Sequence, residues 1–221
     1  MIRTKKTEVH YGFRPGTQPV VVKQKKLPRA GIYSGSFDPV HAGHIMFALH
    51  SQSIAGLDCV YFVPERRPEK DGEPEHYVHR SVMLHNALQP YEQFRMFELP
   101  DAHLTVRSLH RMLSALPEAE YSLLTTASEL LWREGSLPIL YQKLPLIVAV
   151  ASHTQVAEVL ARLAKEKHPI QSLTFVDIGT KRVTSATVRM SIRTGRPVQG
   201  ILPSVWRYAR KQWLYLPPIH R

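Results

Sequence analysis

The stretch Gly31-Ile-Tyr-Ser-Gly-Ser-Phe-Asp-Pro-Val-His-Ala-Gly-His44 decides how the chain is read. It opens as a short apolar strand, turns sharply at Ser34-Gly35-Ser36, continues the turn through Asp38-Pro39, and enters a helix near Ala42. His41 and His44 stand three residues apart with Gly43 between them. Near a helix start, that spacing can direct both imidazoles toward one site. Free backbone N–H groups and the positive end of the helix dipole would add an anion site there. Gly35 and Gly43 let a phosphate approach the backbone. Two imidazoles and a ring of N–H donors suit transfer at phosphorus, in which positioning and charge stabilisation do the work and no covalent intermediate is needed. Half of a zinc site is the competing reading of His-x-x-His. No cysteine or second histidine pair stands at a zinc-binding spacing to complete it.

Outward from this stretch, short apolar runs alternate with helical ones. Strands are expected at Ala30–Ser34, Cys59–Val63, Phe94–Leu99, Tyr121–Thr125, Leu146–Ala151 and Leu173–Val176. Helices are expected at Ala42–Ala55, Tyr77–Leu88, Thr105–Ala115, His153–Lys167, Ser185–Thr194 and Ser204–Trp213. Strands separated by helices of this length predict an α/β fold: an open parallel Rossmann-like sheet with helices on both faces. Ligands bind such sheets beyond the carboxyl ends of the strands. The long, charged loop Pro64–His76 is a candidate substrate-facing segment, although a plain surface loop has the same composition.

A second anion-binding pattern is Val183-Thr-Ser-Ala-Thr-Val-Arg189. Thr184 or Ser185 can cap the helix that follows, with hydroxyl and N–H groups facing an anion. Arg189, one turn in, can grip two phosphate oxygens. Standing by itself the pattern reads as an ordinary capped helix; beside the first motif it reads as the β,γ-phosphate site of a nucleoside triphosphate.

The ten residues GSFDPVHAGH resemble the G-[ST]-F-D-P-x-H-x-G-H signature of the HxGH nucleotidyltransferase superfamily, and within it most resemble the nicotinate mononucleotide adenylyltransferase family. Val183–Arg189 is similar to that family's ISSTxIR motif, with Ala186 in place of threonine. His79-Arg80-Ser-Val-Met83-Leu84 is similar to its HRxxML helix, and Leu104–Leu109 to its YTxxTL segment. The resemblance implies an enzyme that moves AMP from ATP to a phosphate-bearing acceptor, with release of pyrophosphate and with Mg²⁺ accompanying ATP. It implies nicotinate mononucleotide as acceptor, in NAD biosynthesis, with nicotinamide mononucleotide or a pantetheine phosphate as alternatives. A diverged, non-catalytic nucleotide-binding protein is the reading from a different class. By resemblance His41 and His44 are catalytic, and Gly35, Ser36, Phe37, His41, His44, Thr184, Ser185 and Arg189 bind nucleotide; no protein metal site is expected. The chain departs from the family where a Gly-x-Asp is usual. It reads Thr126-Ala127-Ser128, with Glu129 one place later, and the family's PPHK-type loop is reduced to Arg67-Pro-Glu-Lys70.

Charge and composition complete the picture. Of the net charge of +11, the segment 1–29 holds +7, from eight basic residues against Glu8. It is expected to be a basic, flexible extension, and nucleic acid is a conceivable partner only through it. A mitochondrial leader is disfavoured because that segment has no serine. By the resemblance, residues 30–215 are expected to form the nucleotidyltransferase domain and 216–221 a short tail. The lone Cys59 rules out an internal disulfide, and no apolar run is long enough for a membrane span. A cytoplasmic enzyme is the expectation; the oligomeric state is open.

Overall fold

The computed structural model describes residues 26–68, 73–132, 137–167, 170–179, 183–197 and 199–216. Most of the basic leading segment, Glu69 and Lys70 of the loop, and the tail beyond Leu216 lie outside them. The elements run β1 (Arg29–Gly35), α1 (Ala42–Ala55), β2 (Cys59–Pro64), α2 (Tyr77–Leu88), β3 (Phe94–Met96), α3 (Val106–Ala115), β4 (Glu120–Thr126), α4 (Ala127–Trp132), β5 (Leu146–Val150), α5 (His153–Leu163), β6 (Leu173–Asp177), α6 (Ser185–Thr194) and α7 (Pro203–Lys211). A 3-10 turn at Ile139–Gln142 precedes β5.

The strands form one sheet in the order β3-β2-β1-β4-β5-β6, and every pairing is parallel. Winding proceeds outward from β1 through β2 to β3, then restarts at β4 on the other side of β1. The switch point therefore lies between β1 and β4, where a crevice opens at the strands' carboxyl ends. Alternation along the strands splits the core in two. Tyr33, Val60 and Phe62 face one layer with α1, α2, α6 and α7 residues; Ile32, Tyr61 and Val63 face the other with residues of α3, α4 and α5.

All six expected strands and all six expected helices are present, with corrections at their edges. Arg29, assigned to the leading segment, opens β1 and pairs with Glu120 through backbone register and an ion pair. β3 stops at Met96 rather than Leu99. Val60 N–H and Phe62 C=O bond toward β3, so even-numbered residues of β2 face it; the next, Pro64, has no N–H to donate. α5 ends at Leu163 rather than Lys167, because Lys165 and Glu166 close tighter i→i−3 bonds and bring no apolar side chain to bury. The short α4 was not expected. It follows β4 without a loop, and the Thr126 hydroxyl accepts the Glu129 N–H at 3.1 Å to start it.

Candidate active site

The first motif builds the floor of the crevice. Phe37 takes a left-handed φ of 47° in the turn after β1. That is a strained conformation for a residue with a side chain. Its buried ring is held edge-on to Tyr33 and to His44, with centroids 5.4 and 5.1 Å apart. The packing fixes the turn that carries Ser36 and Asp38.

His41 is the N-cap of α1. Its Nδ1 accepts the Gly43 N–H at 3.1 Å, and His44 Nδ1 accepts the His41 N–H at 3.2 Å, a reciprocal capping box made of two histidines. A Cβ on Gly43 would lie 3.0 Å from the His41 ring, which is why glycine stands between them. The rings stack with centroids 3.8 Å apart. Burial pushes His41 down to about 4. Burial, and then the like charge of His41, holds His44 well below the usual histidine range. Both are therefore neutral at pH 7. With each Nδ1 accepting from the backbone, the neutral ring carries its hydrogen on Nε2.

Here the structure corrects the expectation of free N–H groups at the start of α1. Besides the two N–H groups that the imidazoles accept, Ala42 donates to the Gly200 carbonyl at 2.9 Å and His44 to the His41 carbonyl. The donors left for an anion are the imidazoles, not the helix backbone.

At α6 the Thr184 hydroxyl accepts the Thr187 N–H, and Thr187 Oγ1 accepts the Thr184 N–H, another capping box. Ser185 Oγ donates to the Pro39 carbonyl at 3.1 Å. These hydroxyls are thus engaged in capping and in tying α6 to the first motif, where they were expected to face an anion. The N–H groups of Ser185 and Ala186 have no acceptor among the described residues, so this helix start is the one open to phosphate.

Arg189 donates from one nitrogen to the Asp38 carbonyl at 2.6 Å and lies 3.4 Å from Asp38 Oδ2. Asp38 also accepts from the Tyr215 hydroxyl at 2.7 Å and from the Glu75 N–H at 3.3 Å. Burial lifts its carboxyl above the usual carboxylate range, against the lowering effects of Tyr215, Arg189, Glu75 N–H and Arg80.

Gly35, Ser36, Phe37, His41, His44, Thr184, Ser185 and Arg189 all line one cavity of about 1170 Å³ at the switch point. That exceeds the ~300–1,000 Å³ of a site for one small molecule. The cavity has further wall residues that sequence reasoning did not assign to the site. Glu129 reaches the cavity and accepts the Trp132 indole N–H at 3.1 Å, so a carboxylate does arrive where the family pattern was broken. Thr105, His103 and Glu65 line the end nearer β2 and β3, and His50 and Ile178 the end nearer β6. Asp38 belongs to the first motif, but its pairing carried no signal, since its partners Arg189 and Tyr215 lie 151 and 177 residues away along the chain. Among the described residues no group of three or more His, Cys, Asp or Glu is placed to hold a metal ion, and no helix is long and apolar enough to cross a membrane.

An outward-wound parallel sheet with a histidine-capped helix start and an open helix start tied together at its carboxyl edge is the arrangement of a nucleotidyltransferase, and the Cytidylyltransferase-like family model matches residues 32–112. The chain belongs to the nicotinate-nucleotide adenylyltransferase family: over 202 residues it is 30% identical to a protein of Coprothermobacter proteolyticus named "Probable nicotinate-nucleotide adenylyltransferase", covering 89% of this chain and all of that one. A Thermus thermophilus protein of the same name is 29% identical over 85% of this chain and 99% of its own. The fold is similar to that of Plasmodium falciparum nicotinic acid mononucleotide adenylyltransferase complexed with NaAD, with a TM-score of 0.67 at 16% identity over 85% of this chain and 97% of that one.

Proposed function

We propose that this chain transfers the adenylyl group of ATP to nicotinate mononucleotide. A phosphate oxygen of the acceptor attacks the α-phosphorus, the bond to the bridging oxygen breaks, and pyrophosphate leaves. The observation that carries the reading is the stacked, neutral His41–His44 pair on the wall of a cavity large enough for two nucleotides. The acceptor phosphate is already ionised, so no general base is required. The two Nε2–H groups donate to the α-phosphate and to the bridging oxygen, where charge grows as the bond breaks. They need no reorganisation, because the backbone fixes both rings. Neutral imidazoles serve here as rigid donors that remain unchanged across the neutral pH range.

The start of α6 takes the far end of the triphosphate through Ser185 and Ala186 N–H and the Arg189 nitrogens not committed to Asp38. Mg²⁺ enters as part of the substrate, held by triphosphate oxygens and water, and offsets charge on the leaving pyrophosphate. The acceptor occupies the end nearer β2 and β3.

The test is pyrophosphate release from ATP with nicotinate mononucleotide, nicotinamide mononucleotide and a pantetheine phosphate offered in turn. The reading expects turnover with the first at the highest kcat/KM. A preference for either of the others reassigns the acceptor, and no release with any of them removes the catalytic reading.

A further inference from the structure

Arg80 is fully buried at the first turn of α2, among the side chains that pack that helix on the sheet. Among the described residues no carboxylate lies within ion-pair distance of it, and the charges of Asp38 and Glu65 act on it only from farther off. Its guanidinium instead spends its donors on four backbone carbonyls: Nε on Glu75 at 2.8 Å, Nη1 on Ser36 at 2.5 Å, and Nη2 on Glu65 at 2.8 Å and Arg66 at 3.1 Å. Its charge centre also lies 5.7 Å from the Tyr77 ring. A buried arginine that holds only main chain is costly unless every donor is satisfied. Here the donors join three segments that sequence leaves apart: the turn of the first motif, the exit of β2, and the approach to α2.

Among the described residues those segments are otherwise joined by few bonds. Glu65 N–H donates to the Gly35 carbonyl at 2.9 Å, the Ser34 hydroxyl to Glu65 Oε1 at 3.0 Å and Glu75 N–H to Asp38 at 3.3 Å, while Arg67 N–H ties the exit of β2 onward to Ala102 at 2.8 Å. Ser34, Gly35, Ser36, Glu65 and Pro68 line the cavity around this knot. Three of the four carbonyls that Arg80 holds lie between β2 and α2, and one of those three residues, Glu65, lines the cavity.

We propose that Arg80 is a positioning residue for the acceptor end of the cavity, fixing the exit of β2 and the approach to α2 against the Ser36 turn without touching either nucleotide. This rests on the adenylyl-transfer reading for its kinetic consequence, but not for its structural one. Only a planar fork can serve four carbonyls spread over three segments; a lysine ammonium is a point donor and reaches fewer.

The test is Arg80→Lys, with Tyr77→Leu as a milder variant that removes the ring beside the guanidinium and keeps the fork. Hydrogen exchange should quicken at the amides of Glu65, Arg67 and Glu75 while strands β1, β4 and β5 keep their protection. In steady-state assays with ATP and nicotinate mononucleotide, Arg80→Lys should raise KM for the mononucleotide about tenfold or more and leave KM for ATP within about twofold; Tyr77→Leu should move the same constant by about threefold. A fall in kcat with both Michaelis constants unchanged would show only a loss of folded enzyme and overturn the proposal, as would equal rises in both. If the unaltered chain does not turn over nicotinate mononucleotide, the functional reading fails by itself, and the exchange at those three amides still decides the clamp: unchanged protection there overturns it.

Discussion

His44 performs two tasks that substitution can separate. Its Nδ1 accepts the His41 N–H inside the cap of α1, and its Nε2–H is the proposed donor to substrate. His44→Ala removes both. It should lower kcat by ~10²–10⁴-fold and should also cost stability, since the buried His41 N–H loses its acceptor. His44→Asn keeps an acceptor for that N–H. It should therefore recover most of the melting temperature and little of the turnover; recovery of both would remove His44 from catalysis. The same pair sets an acid sensitivity. The native protein keeps His41 neutral down to about 4 and His44 neutral well below the ordinary histidine range, while the unfolded chain takes up these protons near the ordinary histidine value of 6.5. The unfolded state then binds more protons between those values, so this stability is fully present above pH 6.5 and drains away as pH falls through 4. The His41 shift corresponds to about 3 kcal/mol. Thermal melts across that range should show a steeper acid loss for the unaltered protein than for His41→Asn/His44→Asn, and parallel curves would contradict the assigned neutrality. The identity of these residues was legible in GSFDPVHAGH, but their mode of action was not. Spacing suggested imidazoles beside free helix N–H groups, whereas the imidazoles accept two of those groups and the Gly200 and His41 carbonyls accept the next ones.

Motif reading places α1 and α6 correctly, because the turn through Asp38-Pro39 marks the start of one and the Thr184 cap marks the start of the other. What it misses is how the two helix starts are joined. Ser185 bonds the Pro39 carbonyl, Ala42 bonds the Gly200 carbonyl, and Arg189 and Tyr215 converge on Asp38. Such pairings depend on the return of the chain across the sheet, which no local pattern encodes. Arg80 was partly legible: it lies three and four residues before the buried Met83 and Leu84, on the inward face of α2. The short β3 was legible only in retrospect, through the donor that Pro64 lacks. The joined helix starts change what is expected of Arg189→Ala. The lost guanidinium should weaken ATP binding by about 1.5–3 kcal/mol. It also strips the Asp38 carbonyl and carboxylate of a partner, so the melting temperature should fall as well. Tyr215→Phe isolates the second effect. It removes one hydrogen bond to a buried carboxylate and should cost about 1.5–3 kcal/mol in denaturant unfolding, with KM for ATP nearly unchanged. A large rise in that KM would mean that Tyr215 acts on substrate and not on the Asp38 junction.

The order β3-β2-β1-β4-β5-β6 brings to one edge every group that the proposed reaction uses, although the first and second motifs are separated by most of the domain. Each described wall residue of the cavity falls between Tyr33 and Gly200. The basic leading segment contributes +7 of the net +11 and supplies none of those described residues. Its long-range field could still draw in ATP, and field effects of that kind weaken with added salt. Removing residues 1–25, which leaves β1 whole from Arg29 with its Glu120 ion pair, should therefore keep kcat within about twofold at physiological ionic strength. Any effect on kcat/KM for ATP should appear at low salt and fade as the ionic strength rises. Steady-state assays of the shortened and full chains over a salt series measure both quantities. A loss of kcat that salt does not reverse would place part of the leading segment in the catalytic machinery, and the two-motif cavity would then be an incomplete account of the site.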